Sequence, residues 1–448
     1  MSIFILLFMF VTVVALSLAN FSQCIFLFIF LSPFHFFFKE LFPFPITDVW
    51  RDIYLVAMIY SWFIQVLSNR LKIANKNLVS IMILFYLLWG VIETLNSVNL
   101  LTGLVGFRFM FVSVPLFFIA FSTIKSDKEI KRYLWAFLAS GFIITVFALL
   151  QFVLVSLLHV IPMGTSIDFG RKYSFSGSLF RGFIALERST SLLSNPNELG
   201  NFLLVCFILG IVLSYFKADK NRFLVPYIIL VLLGLFTAMS RTALVGLVVS
   251  VAVLIVISRK KELFFKSFMV FTCIVVVFSS YIIKLFRPIL DLSDPYFINS
   301  VQGLPYWKFV KDALFLGHGF SATQSTAMKL GIKQFGNIPV GAVDVYFIQM
   351  IIQIGLVGFL FHFFICLLLM MYSYMNYRNK NLPYYYRTLS LAVLGVLLAF
   401  LVVGLHTSPW EYVSLSSFYY ILAAIVVFIY QQGMKKSSLL QTGPEQSG

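Results

Sequence analysis

Only 11% of the 448 residues are Asp, Glu, Lys or Arg, so the few charged groups in distinctive contexts are the ones to read for chemistry. Arg188 heads the run Arg188-Ser-Thr-Ser-Leu-Leu-Ser-Asn195-Pro196-Asn197-Glu198. Asn as N-cap, Pro at the first helical position and Glu at the third predict a helix start. Its unpaired N–H groups and positive dipole end make a natural place for an anion. Ser240-Arg241-Thr242 repeats the idea, with Ser240 as the N-cap. Asp344, in Val343-Asp344-Val345-Tyr346, opens a third helix, where capping and a chemical role both stand open. Arginine is permanently charged and rigidly forked, which suits it to two-point capture of phosphate.

Gly317-His318-Gly319 implies a tight turn or a close backbone approach to a ligand, and His318 reads either as a turn residue or as a general base. His159, His362 and His406 stand alone in or beside apolar runs and read as packing or interfacial residues. Cys24, Cys206, Cys273 and Cys366 lie within apolar runs at no metal-ligand or redox spacing. No histidine or cysteine pair has metal-site spacing, and neither a Gly-rich nucleotide loop nor a Ser/His/Asp elbow occurs.

The elements that must hold these groups are membrane helices. The chain is 60% hydrophobic and 18% aromatic, too apolar to cover a water-soluble globule of this size. Its apolar runs are continuous rather than alternating, which predicts helices over barrel strands. The predicted spans are 3–18, 21–38, 53–68, 78–95, 104–124, 133–158, 198–216, 223–239, 242–258, 267–284, 344–373, 388–404 and 412–430. The expected fold is therefore all-α, a single polytopic membrane domain over 1–448 with 12–13 transmembrane helices. The first 38 residues are too long for one helix, yet two would put the N-terminus outside, and the sequence leaves that parity open. With no basic leader or small-residue cleavage site, the N-terminal run reads as an uncleaved membrane segment. Ionisable residues inside the spans are few, Glu93 and Glu411 near outer ends, with Gln65, Gln151, Asn201, Gln349 and Gln353. Their scarcity lowers the case for a proton-coupled transporter.

The connections 69–77, 125–132, 217–222, 259–266 and 376–387, with the C-terminal tail, hold 19 of the 33 basic residues and so read as cytoplasmic. They alternate with outward connections at 39–52, 96–103, 159–197, 240–241, 285–343 and 405–411. The formal charge of +16 thus belongs to a membrane surface, and no nucleic-acid partner is implied. Two outward loops are long, 159–197 and 285–343, and long loops in compact proteins carry function or lack structure. Arg108, Arg171, Arg181, Arg188 and Arg241 fall on the outward side, against the positive-inside rule. They either snorkel to headgroups and pair with Asp168 and Glu187, or hold an anion.

Three patches resemble the O-antigen ligase and Wzy-type polysaccharide polymerase family. They are Arg188 through Asn195-Pro196-Asn197-Glu198, then Ala238-Met-Ser240-Arg241-Thr-Ala-Leu-Val-Gly246, and Trp307 through Gly317-His318-Gly319-Phe320 to Asp344-Val-Tyr346 and Gly355-Leu-Val-Gly358. They cover about residues 181–360 and share the outward side. The resemblance implies a metal-independent GT-C-type glycosyltransferase without cofactor, in the bacterial cytoplasmic (inner) membrane with its site facing the periplasm or exterior. Its substrates would be oligosaccharides on undecaprenyl pyrophosphate, as donor and acceptor, with a chain-length regulator and a flippase as companions.

Where ligases carry a histidine just before the span after the large loop, this chain has Asp344, which favours a polymerase of O-antigen, capsule or exopolysaccharide units. The Arg-to-Gly spacing described for some polymerases is matched loosely, by Arg188 and Gly200. On this reading Arg188 and Arg241 meet the pyrophosphates, with Arg181 and Arg108 behind them, and Asn195, Asn197 and Glu187 line the substrate site. Asp344 is the candidate base for the acceptor hydroxyl, followed by His318 and Glu187. A ligase-type transfer to another acceptor, or a transporter or flippase for the same lipids, are the alternatives.

Overall fold

The computed structural model describes residues 2–41, 45–71, 77–97, 99–158, 188–215, 223–258, 314–320, 334–335, 338–339 and 346–441. They form an almost wholly helical bundle: α1 (Ser2–Ala19), α2 (Phe21–Leu31), α3 (His35–Leu41), α4 (Pro45–Leu67), α5 (Leu78–Leu95), α6 (Leu100–Phe111), α7 (Leu116–Thr123), α8 (Asp127–Leu158), α9 (Pro196–Tyr215), α10 (Leu224–Ala238), α11 (Arg241–Ser258), α12 (Tyr346–Arg378), α13 (Tyr384–Gly404) and α14 (Val413–Gln441). A two-residue antiparallel ladder, Gln334–Phe335 with Ile338–Pro339, lies in the large loop. Among the described residues nine helical segments are long and apolar enough to cross a membrane, and α10 and Ile5–Ala19 of α1 are shorter apolar helices. The chain is an all-α polytopic membrane protein. The expected span 267–284 lies outside the described residues.

Helix starts follow local chemistry. Asn77 and Asn99 cap α5 and α6, their side chains accepting from Ser80 N and Leu101 N. Such caps contribute about 1 kcal/mol each. Helix α8 begins six residues before its predicted span, because Glu129 accepts from Ser126 N and Oγ (2.9 and 2.6 Å) and so caps a charged first turn. Hydropathy misses that turn because it stands in water. The span over Leu100–Thr123 is divided between α6 and α7 just before Pro115, which has no N–H to continue the ladder.

Helices α9, α13 and α14 form the centre of the bundle: 94% of the apolar window of α14 is enclosed, against 33% for α11. Leu7, Phe8 and Val11 on α1, and Leu84, Leu88 and Leu95 on α5, are exposed. Only lipid makes such a surface tolerable.

Among the described residues, the helix ends beside the basic connections 69–77, 125–132 and 376–387 share one face. Gln65 Nε2 donates to Ser17 O (2.9 Å), Trp62 to Ser122 Oγ (3.1 Å), Tyr133 Oη to Ser22 Oγ (3.3 Å), and Tyr386 to Asp127. This joins the α1–α2 turn to the ends of α4 and α7 and the starts of α8 and α13. Asn20, extended at φ −153°, separates α1 from α2 and caps the latter. The first 41 residues thus hold two helical legs that turn at Asn20, and Ser2 lies at the end of α1 away from the α4 end at Gln65.

Candidate functional site

The non-basic face gathers the starts of α4, α6, α9, α11, α12 and α14. At α9 the predicted signal is realised: Asn195 Oδ1 accepts from Glu198 N (2.8 Å), Pro196 is the first helical residue, and Glu198 accepts from Ser194 N (3.1 Å) and Ser194 Oγ. Glu198 Oε1 also takes a bond from Ser414 Oγ (3.2 Å), tying α9 to the first turn of α14.

The segment before this cap was expected to be part of an outward loop, but residues 189–193 are buried. Gln151 of α8 accepts from both Thr190 N (3.1 Å) and Ser191 N (2.7 Å), Ser189 Oγ and Ser191 Oγ donate to Ala148 O and Ile144 O, and Ser189 N donates to Thr237 O. A buried segment outside a helix must find partners for its backbone, and Gln151 supplies two of them. This gives that intramembrane glutamine a structural use.

The same insertion sets Arg188. Its Nη2 donates to Asn197 Oδ1 (2.9 Å) and its Nε to Ala238 O (3.1 Å). Ala238 ends α10, and Met239 follows in the left-handed region at φ 48°. A non-glycine residue there costs on the order of 1–2 kcal/mol, and the sharp reversal leaves the Ala238 carbonyl open to Arg188. Ser240 comes next; its carbonyl accepts from Leu244 N, and its hydroxyl donates to Asn197 Oδ1 (3.3 Å) and lies 3.2 Å from Thr242 Oγ1. Arg241, half-buried, is the first residue of α11. Two patches far apart in sequence thus meet on Asn197.

Arg108 is 2.5 Å from Asp52 at Oδ2, an ion pair with α4. The sequence reading did not pair it so, and it passed over Arg51 and Asp52, although both lie in the outward connection 39–52. Arg51 is within electrostatic reach of Glu198, Asp52 and Arg108. Arg108 and Asp52 thus pair at the start of α4, while Arg188 and Ser240 meet on Asn197 in the first turn of α9. With three inward-running helix starts beside them, the arrangement can hold a phosphate-type anion and stabilise one as it leaves.

Gly317-His318-Gly319 packs elsewhere. Helix α12 is interrupted at Gly355 (φ 67°, ψ 177°), and the turn at 314–318 fills the gap: His318 N donates to Ile352 O (2.8 Å) and Leu356 N to Leu314 O (2.7 Å). Phe320 N donates to Ser97 Oγ (3.0 Å), and Trp89 Nε1 donates to Ile354 O (2.8 Å). The close approach inferred from the glycines is thus to protein backbone, and His318 is half-buried beside the break. Two polar pairs flank this region: Gln349 Nε2 donates to Glu411 Oε1 (2.5 Å), and Asn201 Nδ2 donates to Thr407 Oγ1 (3.2 Å).

Asp344, Arg181, Glu187 and Arg171 lie outside the described residues. Among those described, no three His, Cys, Asp or Glu side chains converge as a metal site would require. No protein-family model matches the chain, and no curated protein matches it significantly.

Proposed function

We propose that the chain is a GT-C-type polysaccharide polymerase, moving a growing glycan from its lipid pyrophosphate onto a sugar hydroxyl of an incoming lipid-linked repeat unit at the face away from the basic connections. The observation that carries this reading is the convergence of Arg188 and the Ser240-Arg241 helix start on Asn197, at the N-terminus of α9. In the reaction the acceptor oxygen bonds to the anomeric carbon, the bond from that carbon to the pyrophosphate oxygen breaks, and the electron pair leaves on the pyrophosphate. Fixed cations and helix N-termini stabilise that charge as it develops. The hydroxyl proton passes to a carboxylate, for which Asp344 is the candidate. His318 and Glu187 stand behind it.

A transporter or flippase for the same lipids is a second reading, favoured by the interruption of α12, because discontinuous membrane helices frame many transport sites. Here backbone from 314–318 occupies the break, which weighs against a substrate there. The deciding experiment incubates purified protein with lipid-linked oligosaccharide and resolves products by gel. A ladder supports the polymerase, a single transfer the ligase-type alternative, and unchanged substrate moved across the bilayer the transporter.

A further inference from the structure

We infer that Glu411, Gln349 and Asn201 form a sugar-hydroxyl subsite at the starts of α9, α12 and α14, beside the arginine site and apart from it. The connection between α13 and α14 is tightly built: His406 N and Thr407 N both donate to Val403 O (3.0 and 2.9 Å), and Glu411 N donates to Ser408 O (3.1 Å). Its bonds reach two helices. Asn201 Nδ2 of α9 donates to Thr407 Oγ1 (3.2 Å), Ser408 Oγ donates to Gln349 Oε1 of α12 (3.1 Å), and Gln349 Nε2 donates to Glu411 Oε1 (2.5 Å). Gln349, only 5% exposed, is thereby held at both ends of its amide, which fixes the Glu411 carboxylate. Thr407, Ser408 and Glu411 are half-buried while Leu405 and His406 are exposed, so this edge is open. Beneath it, Asn201, 3% exposed, has no hydrogen-bond partner for Oδ1. Neither has Trp410 for Nε1 nor Tyr346 for Oη, two buried rings stacked with centroids 5.1 Å apart. Buried polar atoms without partners are costly, which marks this place as built for more than stability. Side-chain amides and a carboxylate offer the acceptors and donors that sugar hydroxyls need, and the charge of Glu411 repels a phosphate. Asn201 lies one turn from Asn197 on the same side of α9, and Gly200 lets α11 approach between them: a Cβ there would meet Ser240 Cβ at 2.5 Å. The anion site and the hydroxyl site thus share neighbouring turns of one helix, as a pyrophosphate and the sugar bonded to it require.

This inference rests on the proposed function for the kind of ligand, a sugar carried on pyrophosphate, but its test does not need turnover. Titrate the full-length protein in neutral detergent, by calorimetry, with farnesyl pyrophosphate and with the same lipid carrying glucose, galactose or N-acetylglucosamine. In wild type at least one sugar should tighten binding over the bare pyrophosphate by about 10-fold or more, the scale of hydrogen bonds to a charged group. Glu411→Gln keeps the shape and the bond from Gln349, so it should hold bare farnesyl pyrophosphate as wild type does and lose most of that gain. Asn201→Leu should lose part of it. Arg241→Ala should weaken bare and glycosylated lipid alike, leaving the ratio of the two affinities unchanged. Should Glu411→Gln not fold, Ser408→Ala serves, since it loosens Gln349 and should reduce the gain in part. A purely structural network would lower the melting temperature in Glu411→Gln and Asn201→Leu and leave the ratio as in wild type, which would overturn the subsite. No gain from any sugar, with bare pyrophosphate still bound, would overturn it while leaving the arginine site standing. Binding of neither lipid would remove the proposed function as well.

Discussion

Arg188 Nη2 donates to Asn197 Oδ1 at 2.9 Å across the α9 cap, and the same oxygen accepts from Ser240 Oγ at 3.3 Å. One amide thereby sets the position of an arginine and of the next helix start, which separates the expected consequences of losing Arg188 and Arg241.

Arg241→Ala should leave thermal stability near wild type while lowering activity roughly 10- to 150-fold, the loss of about 1.5–3 kcal/mol of phosphate contact. Arg188→Ala should lower activity comparably and also destabilise the fold by about 1–2 kcal/mol, because it strips two internal hydrogen bonds. Melting curves in nanodiscs beside turnover measurements check both. Full activity in both folded variants would remove the pyrophosphate-site argument.

Gly355→Ala should destabilise the protein by at least about 2 kcal/mol, since φ 67° with ψ 177° is accessible to glycine almost alone. Gly317→Ala should do the same: at φ 77°, a Cβ there would meet Gly355 N at 2.5 Å. Gly210→Ala is the control. It is helical, its Cβ would come no nearer than 3.2 Å to Ile228, and the change should stay within about 1 kcal/mol of wild type. Equal melting temperatures for all three would contradict the docked arrangement of 314–320.

A cysteine placed at Ser2, in a variant lacking native cysteines, should react with an impermeant maleimide in intact cells, as should cysteines in 159–187 and 285–313. A cysteine at Asn69, beside the basic connection, should react only after lysis. The reverse pattern would invert the orientation and move the site to the cytoplasm. Labelling at Ser2 alone also tests the pair of crossings separated at Asn20.

Turnover should survive excess EDTA, because the charge on the leaving pyrophosphate is assigned to arginines and helix starts. Activity lost to the chelator and restored by a divalent ion would replace that mechanism. Asp344→Asn should abolish turnover while donor binding persists, and a wild-type rate in that variant would reduce Asp344 to a helix cap.

The membrane class, nearly every described helix and the α9 start at Asn195-Pro196-Asn197-Glu198 were legible in the sequence, because hydropathy and capping are local: each depends on residues within a turn or two of one another. Tertiary structure alone decided the rest. That Arg188 and Ser240 share Asn197 and that Arg108 pairs with Asp52 depend on packing between elements distant along the chain, which no spacing records. The burial of 189–193 was hidden for the same reason: Gln151, which satisfies its backbone, belongs to another helix. The glycines at 317 and 319 announced a close approach without naming its partner, because a missing Cβ leaves room equally for a ligand or for the interrupted backbone at Gly355.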